Sequence, residues 1–458
     1  MQVIEAFQSQ NPSITFAFPG STEFDDSRRI FDTSNTAVPL AVAQPKTAAD
    51  VALLVKLATT AGVPFTLRVG GHDTLGRSVA ADALLVDLRG LNSVAVDETA
   101  LTATMGGGII ASELIAALEP KGLVACVGAA PWIGYVGFCT LGGYGPLTAI
   151  HGLGVDQILG ATVVTADGSI VEADEQMLKG IRGAGGNFGV IVELKIKVYK
   201  LDKFFSGSLL FDSSDIAATF RTYTTKLAEL TAAEPLPLAL DLSPLIINTP
   251  MGRLFAVTVS WCDGDEAAGR AWAAKIAAMG TVIHNDFGPL SLSGLFANTA
   301  KAIPTQTFGV GSRSVSMRKL SPGIVETMSK HLALMPSDFG AGVIFHELRG
   351  KSAAVTESSV FAAREPHYMI ELVGSVLDSA NVDKVKTWVT AYADELTEAA
   401  RASGDLLEAP WVPMTSDDRI DLKRLYGGNY ETVVELKRKF DKDNFFKYAL
   451  PKIPVQNL

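Results

Sequence analysis

The sequence predicts an α+β protein, and three observations carry that expectation. Residues 38–67 read as strand, helix, strand, with a glycine turn directly after. Glycine runs then punctuate the chain as far as Gly189. Near Leu201 the pattern changes to alternating strands mixed with amphipathic helices, the mark of an antiparallel sheet flanked by helices. With 458 residues the chain has room for two or three domains. The expected division is 1–203, then 204–404, with 405–458 returning to the first unit.

Residues 1–37 are a polar, Ser/Thr/Asn-rich opening. Val38–Pro45 is extended, with a proline near each end. Thr47-Ala48-Ala49-Asp50 caps a helix whose apolar spacing runs through Ala58, and Gly62 lies just past its end. Val63–Leu67 is an apolar run of strand length. Leu84–Leu88 is a short strand, and Leu101–Met105 alternates before Gly106-Gly107-Gly108. That triple glycine lacks the G-x-G-x-x-G spacing of a Rossmann fold, so it reads as a tight turn into a helix over 111–119. Strands 161–165 and 169–171 flank an Asp167-Gly168 turn, a hairpin signature. Val190–Tyr199 alternates with its polar members on one face. In the second domain, 255–261, 342–348 and 369–373 alternate as strands, while 215–230, 266–279 and 382–400 carry helical spacing. Arg419–Phe440 is helical but interrupted at Gly427-Gly428.

Composition excludes several classes. A net charge of −10 with no basic, aromatic-interleaved patch argues against a nucleic-acid partner. Three cysteines, an odd number with no C-x-x-C pair, argue against a disulfide framework and a zinc site, so no metal is expected. Neither a signal-peptide pattern at the start nor a bilayer-length apolar run is present, so a cytoplasmic protein with no membrane association is the expectation.

The chemistry concentrates in the glycine stretches. Arg68-Val69-Gly70-Gly71-His72-Asp73, with Gly76 and Ser78 behind it, follows a strand. Paired glycines let backbone N–H groups face one side and hold a pyrophosphate without a lysine. Any strand-to-turn junction can carry Gly-Gly, so this stretch alone is weak. It is followed in order by Gly134–Gly145, then His151–Gly160, then Arg182–Val190, and finally Lys439–Phe446. This ordered set resembles the berberine bridge enzyme-like branch of the vanillyl alcohol oxidase flavoproteins, strongly over 38–200 and 420–454 and weakly between.

The resemblance implies a two-lobed PCMH-type FAD-binding domain and a substrate domain. It implies that Arg68, Val69, Gly70, Gly71, Asp73 and Ser78 hold the pyrophosphate. Gly134, Gly142, Gly143, Gly145, Gly189 and Val190 would line the rest of the cofactor, closed by Asn444 and Phe446. His72 matches the residue that carries the 8α-histidyl bond to flavin, and a neutral imidazole is a suitable nucleophile for it. Many relatives add a second bond from a Cys-Pro-x-Val-Gly motif. Here the motif reads Ala130-Pro131-Trp132-Ile133-Gly134, so a single link is expected, with Cys139 the weaker alternative for a second.

The activity that the resemblance implies is FAD-dependent oxidation of a small molecule. A hydride would leave an alcohol or amine carbon, and O2 would receive the electrons. The apolar substrate domain points to a largely apolar metabolite, and the missing cysteine makes a sugar less favoured. The base is not legible. Relatives have a tyrosine near the C-terminal helix, and Trp411–Ser416 has none. His346, Glu347, Arg313 and His151 are the candidates, the first two on opposite faces of one strand. The absent tyrosine motivates one rival, a cyclase or isomerase without net redox; a flavin-binding protein without catalysis and a dehydrogenase with another acceptor stay open as well, the latter because oxygen access depends on packing beside the ring. Oligomeric state has no signal in the sequence.

Overall fold

The computed structural model describes residues 2–201, 203–249 and 252–455. Its first lobe is a four-stranded sheet in the order Thr15–Ala17, Ala41–Gln44, Leu84–Asp87, Phe65–Arg68, the last three parallel. The crossover is the helix Ala48–Ala61. Thr47 accepts from the Asp50 N–H while Asp50 accepts from the Thr47 N–H, and Gly62 ends the helix at φ 66. The polar opening holds more order than its composition suggests. It forms the helices Gln2–Gln10 and Thr22–Ser27, with Ile4 and Phe24 seated in the lobe.

The second lobe is a five-stranded antiparallel sheet, ordered Val94–Asp97, Thr102–Gly106, Val190–Lys197, Ile158–Val164, Ile170–Glu172. The Asp167-Gly168 hairpin forms as expected. So does the turn at Gly106–Gly108. Cβ atoms at Gly106 and Gly108 would lie 2.2 and 1.7 Å from the carbonyls of Leu91 and Leu88, so these glycines let the two lobes touch backbone to backbone, while one at Gly107 would lie 2.2 Å from the Ile191 carbonyl of its own sheet.

Residues 204–407 build a nine-stranded sheet, antiparallel in every pairing. The path runs Val282–Asn285, Phe204–Phe211, Gly252–Trp261, Leu240–Thr249, Gly342–Leu348, His367–Val373, Arg313–Met317, Leu406–Leu407. Gly288–Leu290 sits beside Phe204–Phe211. Its last strand therefore falls beyond Gly404. One face packs Val315, Met317, Val343, Phe345, Ile370 and Leu372 against the helices Ile216–Ala233, Pro322–Ala333 and Val382–Ala402. The opposite face turns Leu348 and Met369 toward Tyr144, Leu153, Val155 and Trp411 of the first domain.

The chain then returns to the first domain through the helices Leu422–Tyr426 and Tyr430–Phe440. Lys437 donates to Asp441 at 2.6 Å and to the Asn187 carbonyl at 3.2 Å, fully buried. Asp441 in turn accepts from the Phe445 and Phe446 N–H groups. Among the described residues no helix is long and apolar enough to cross a membrane.

Candidate active site

The loop after the strand Phe65–Arg68 meets the 130–134 loop of the second lobe. A Cβ on Gly70 would lie 2.1 Å from the Trp132 carbonyl, and one on Gly134 would lie 2.9 Å from the Val69 side chain. Val69, Gly70, His72, Trp132, Ile133 and Gly134 nonetheless stay partly open to solvent, and Gly137 faces open space. A slot therefore runs between the lobes.

His72 stands in that slot. The Trp132 indole Nε1–H donates to His72 Nδ1 at 3.0 Å, and the Phe31 ring meets the imidazole edge-on at 4.5 Å. Burial drives the His72 pKa down to about 4, against the opposing charges of Glu371 and Asp73. The imidazole is neutral at pH 7.

Among the buried polar atoms without a partner in the described residues are Ser78 Oγ, in the loop that follows His72, and Asn444 Oδ1 of the returning C-terminal segment. Asn444 is also held at φ 54, a conformation that costs a non-glycine residue energy. Buried polar groups are normally satisfied, so both ask for a bound group with phosphate and hydrogen-bonding edges. The residues present thus fit FAD.

Other residues expected at the cofactor also make contacts within the protein. Arg68 ion-pairs with Asp87 at 3.1 Å and donates to the Arg29 carbonyl. Gly71, at φ 63, presents its carbonyl to the Phe31 N–H. The Asp73 carboxylate, which would repel a pyrophosphate, binds Arg77 instead. Arg77 reaches on to the carbonyls of Val412, Pro413 and Thr415, stapling the 411–417 segment to this loop. Gly142, Gly143 and Gly145 are packing positions: Cβ atoms would meet the Trp411 ring at 2.5 Å, the Phe138 ring at 2.8 Å and the Val127 carbonyl at 1.8 Å. A Cβ on Gly189 would lie 2.3 Å from the Val163 side chain, and Val190 lies in the first-lobe core. Phe446 belongs to that core too, edge-on to Phe65. Cys139 is fully buried, its thiol turned to the Val136 carbonyl and its pKa pushed up by burial, so it is no reactive thiolate.

Gly142 carries a direct prediction. It sits at φ 116 with Trp411 against it, so Gly142→Ala combines backbone strain with overpacking. Stability should fall by about 2–4 kcal/mol, read as a lowered denaturation midpoint.

The four residues considered for the base separate sharply. His346 lies on the sheet face toward the first domain. Its Nε2 is 3.2 Å from Glu371 Oε2, and its ring is 5.9 Å from Tyr144. Glu347 occupies the helix face, 3.2 Å from Arg349, which ties it to the Leu236 and Pro237 carbonyls. Arg313 shares that helix face and caps its own loop through the Gly311 and Ser312 carbonyls. His151 stacks flat on Tyr199 at 3.6 Å beside Lys351. Only His346 meets the Tyr144–Trp411 cluster.

Sequence reading missed Glu371, Trp132 and Arg77. Glu371 carried a signal, a carboxylate inside the apolar run Met369–Val373. It is buried, His346 is its one ion-pair partner among the described residues, and its charge reaches His72. A narrow cavity of about 20 Å³ lies beside this cluster, lined by Tyr144, Phe361, Trp411, Ala362 and Pro410 with Ser316 and the unpartnered Tyr426 hydroxyl. Among the described residues no cluster could ligate a metal.

Comparison with known proteins agrees with this architecture. The family model for an FAD binding domain matches residues 39–174, and the model "Berberine and berberine like" matches 418–451. FAD-linked oxidoreductase aurO of Gibberella zeae is 29% identical over 451 residues, covering 97% of this chain and 86% of that protein. The structure of 6-hydroxy-D-nicotine oxidase from Arthrobacter nicotinovorans superposes with a TM-score of 0.83 at 23% identity, over 96% of this chain and 98% of that one. Glucooligosaccharide oxidase from Acremonium strictum, which carries 6-S-cysteinyl, 8α-N1-histidyl FAD, gives 0.81 at 18% identity over 97% and 98%. Two family matches in the expected order, a relative alike along the whole chain and a shared two-domain fold place this protein in the berberine bridge enzyme-like family of FAD-dependent oxidoreductases.

Proposed function

We propose that the protein is an oxidase of a small, largely apolar metabolite bearing an alcohol or amine, with FAD bonded to His72 and O2 as the electron acceptor. One observation supports this most: Glu371 pairs with His346 and also acts on His72, so a candidate base and the flavin-linking residue address the same slot. FAD supplies the hydride acceptor and the route of electrons to oxygen.

The chain's own residues do the rest. Ser78 and Asn444 would offer hydrogen bonds to the cofactor, and the glycine backbone of Val69–Gly71 would hold its phosphates. His346, with Nε2 turned to Glu371, presents Nδ1 to take the substrate's O–H or N–H proton, and Glu371 stabilises the imidazolium that results. Tyr144, Trp411, Met369 and Leu348 form an apolar wall that excludes water and seats an apolar ring better than a sugar.

The test is anaerobic mixing of the purified flavoprotein with a panel of hydroxylated aromatic compounds and cyclic amines. The proposal expects at least one to bleach the flavin absorbance, and air to restore it with stoichiometric peroxide. Restoration only by a quinone dye would make it a dehydrogenase. Turnover without bleaching would make it a non-redox cyclase or isomerase.

A further inference from the structure

We propose that Trp132 selects Nε2 of His72 as the nitrogen that bonds the flavin 8α carbon. The proposal rests on the covalent link through His72 and adds which atom makes it. An indole N–H can only donate, so at 3.0 Å it requires a lone pair on Nδ1 and places the imidazole proton on Nε2. Nδ1 is also covered: no carbon can reach it without displacing the indole, which packs 5.9 Å from the imidazole. Nε2 has no hydrogen-bond partner among the described residues, and His72 keeps part of its surface open to the slot. After a bond forms at Nε2, Nδ1 still accepts from Trp132, so the same contact serves the free and linked states. A bond at Nδ1 would instead abolish it.

The step balances as follows. The Nε2–C8α bond forms as Nε2–H and one C8α–H bond break. Two protons leave, the first toward Glu371, the carboxylate whose charge acts most strongly on His72. Two electrons enter the flavin ring, and O2 takes them up. Such a link differs from the N1 link of the Acremonium strictum enzyme. Trp132 occupies the variable position of the Ala130–Gly134 motif, where Ala130 has removed the cysteine of other members. It is a positioning residue, acting through His72.

The experiment is isolation of the flavopeptide from wild-type holoenzyme by proteolysis, with the substituted nitrogen assigned by NMR. The same is done for Trp132→Phe, which keeps the ring and loses the N–H. Expected are Nε2 substitution alone in wild type, and in the variant either an Nδ1 isomer or a roughly tenfold smaller covalent fraction on a denaturing gel. Nδ1 substitution in wild type overturns the proposal, as does a variant with wild-type fraction and pure Nε2 product. Wild-type protein that releases all its flavin overturns the His72 link itself and this inference with it. The wild-type assignment needs no variant, so it decides even if Trp132→Phe fails to fold.

Discussion

Lys437→Met is expected to destabilise the protein by about 3–5 kcal/mol, because it leaves Asp441 as an uncompensated buried charge. The two side chains are fully buried and 2.6 Å apart. Asp441 keeps the Phe445 and Phe446 N–H groups as donors, which limits the loss without cancelling it. A second consequence is local. Lys437 also holds the Asn187 carbonyl, and Asn187 holds the Ala184 and Pro451 carbonyls, so the 184–189 loop and the C-terminal segment loosen together. The measurement is the denaturant midpoint with the flavin content of the purified variant. Lys437→Met combined with Asp441→Asn should recover part of the stability, since no charge then remains buried. An unchanged midpoint in the single variant would show that the pair is not a structural tie.

His346→Ala is expected to lower kcat by about 10²–10⁴-fold with flavin content unchanged, once a substrate is in hand. The residue packs on the sheet face toward Tyr144, where its side chain pairs with Glu371 and meets that ring, so its loss should cost little stability. Glu371→Gln keeps a hydrogen-bonding group beside His346 but removes the charge, and should give a smaller decrease. A variant that keeps the wild-type rate would move the base elsewhere.

What could be read from the sequence was local. Thr47, Asp50 and Gly62 fixed a helix through contacts within its own ends, and Asp167-Gly168 fixed a hairpin. His346 and Glu347 were correctly set on opposite faces by period alone, but which face met the first domain needed the packing. Glu371 joins His346 only because the two strands align His346 with Met369, a register that no single strand encodes. Arg77 is another such case, the carbonyls it staples lying more than three hundred residues away. The glycines were visible as exceptions, yet their cause was not. Several in the second stretch let Trp411 and Phe138 come close, a contact that the glycines alone do not announce. Gly137, which does face open space, looked no different from its neighbours.

The central claim is a flavin bonded to His72, and acid precipitation of the purified protein tests it most directly. Wild type should carry its yellow colour into the pellet, as should Cys139→Ala, whose sulfur is buried against the Val136 carbonyl. His72→Ala should release all of its flavin to the supernatant. Colour released from wild type, or retained by His72→Ala, would contradict the account.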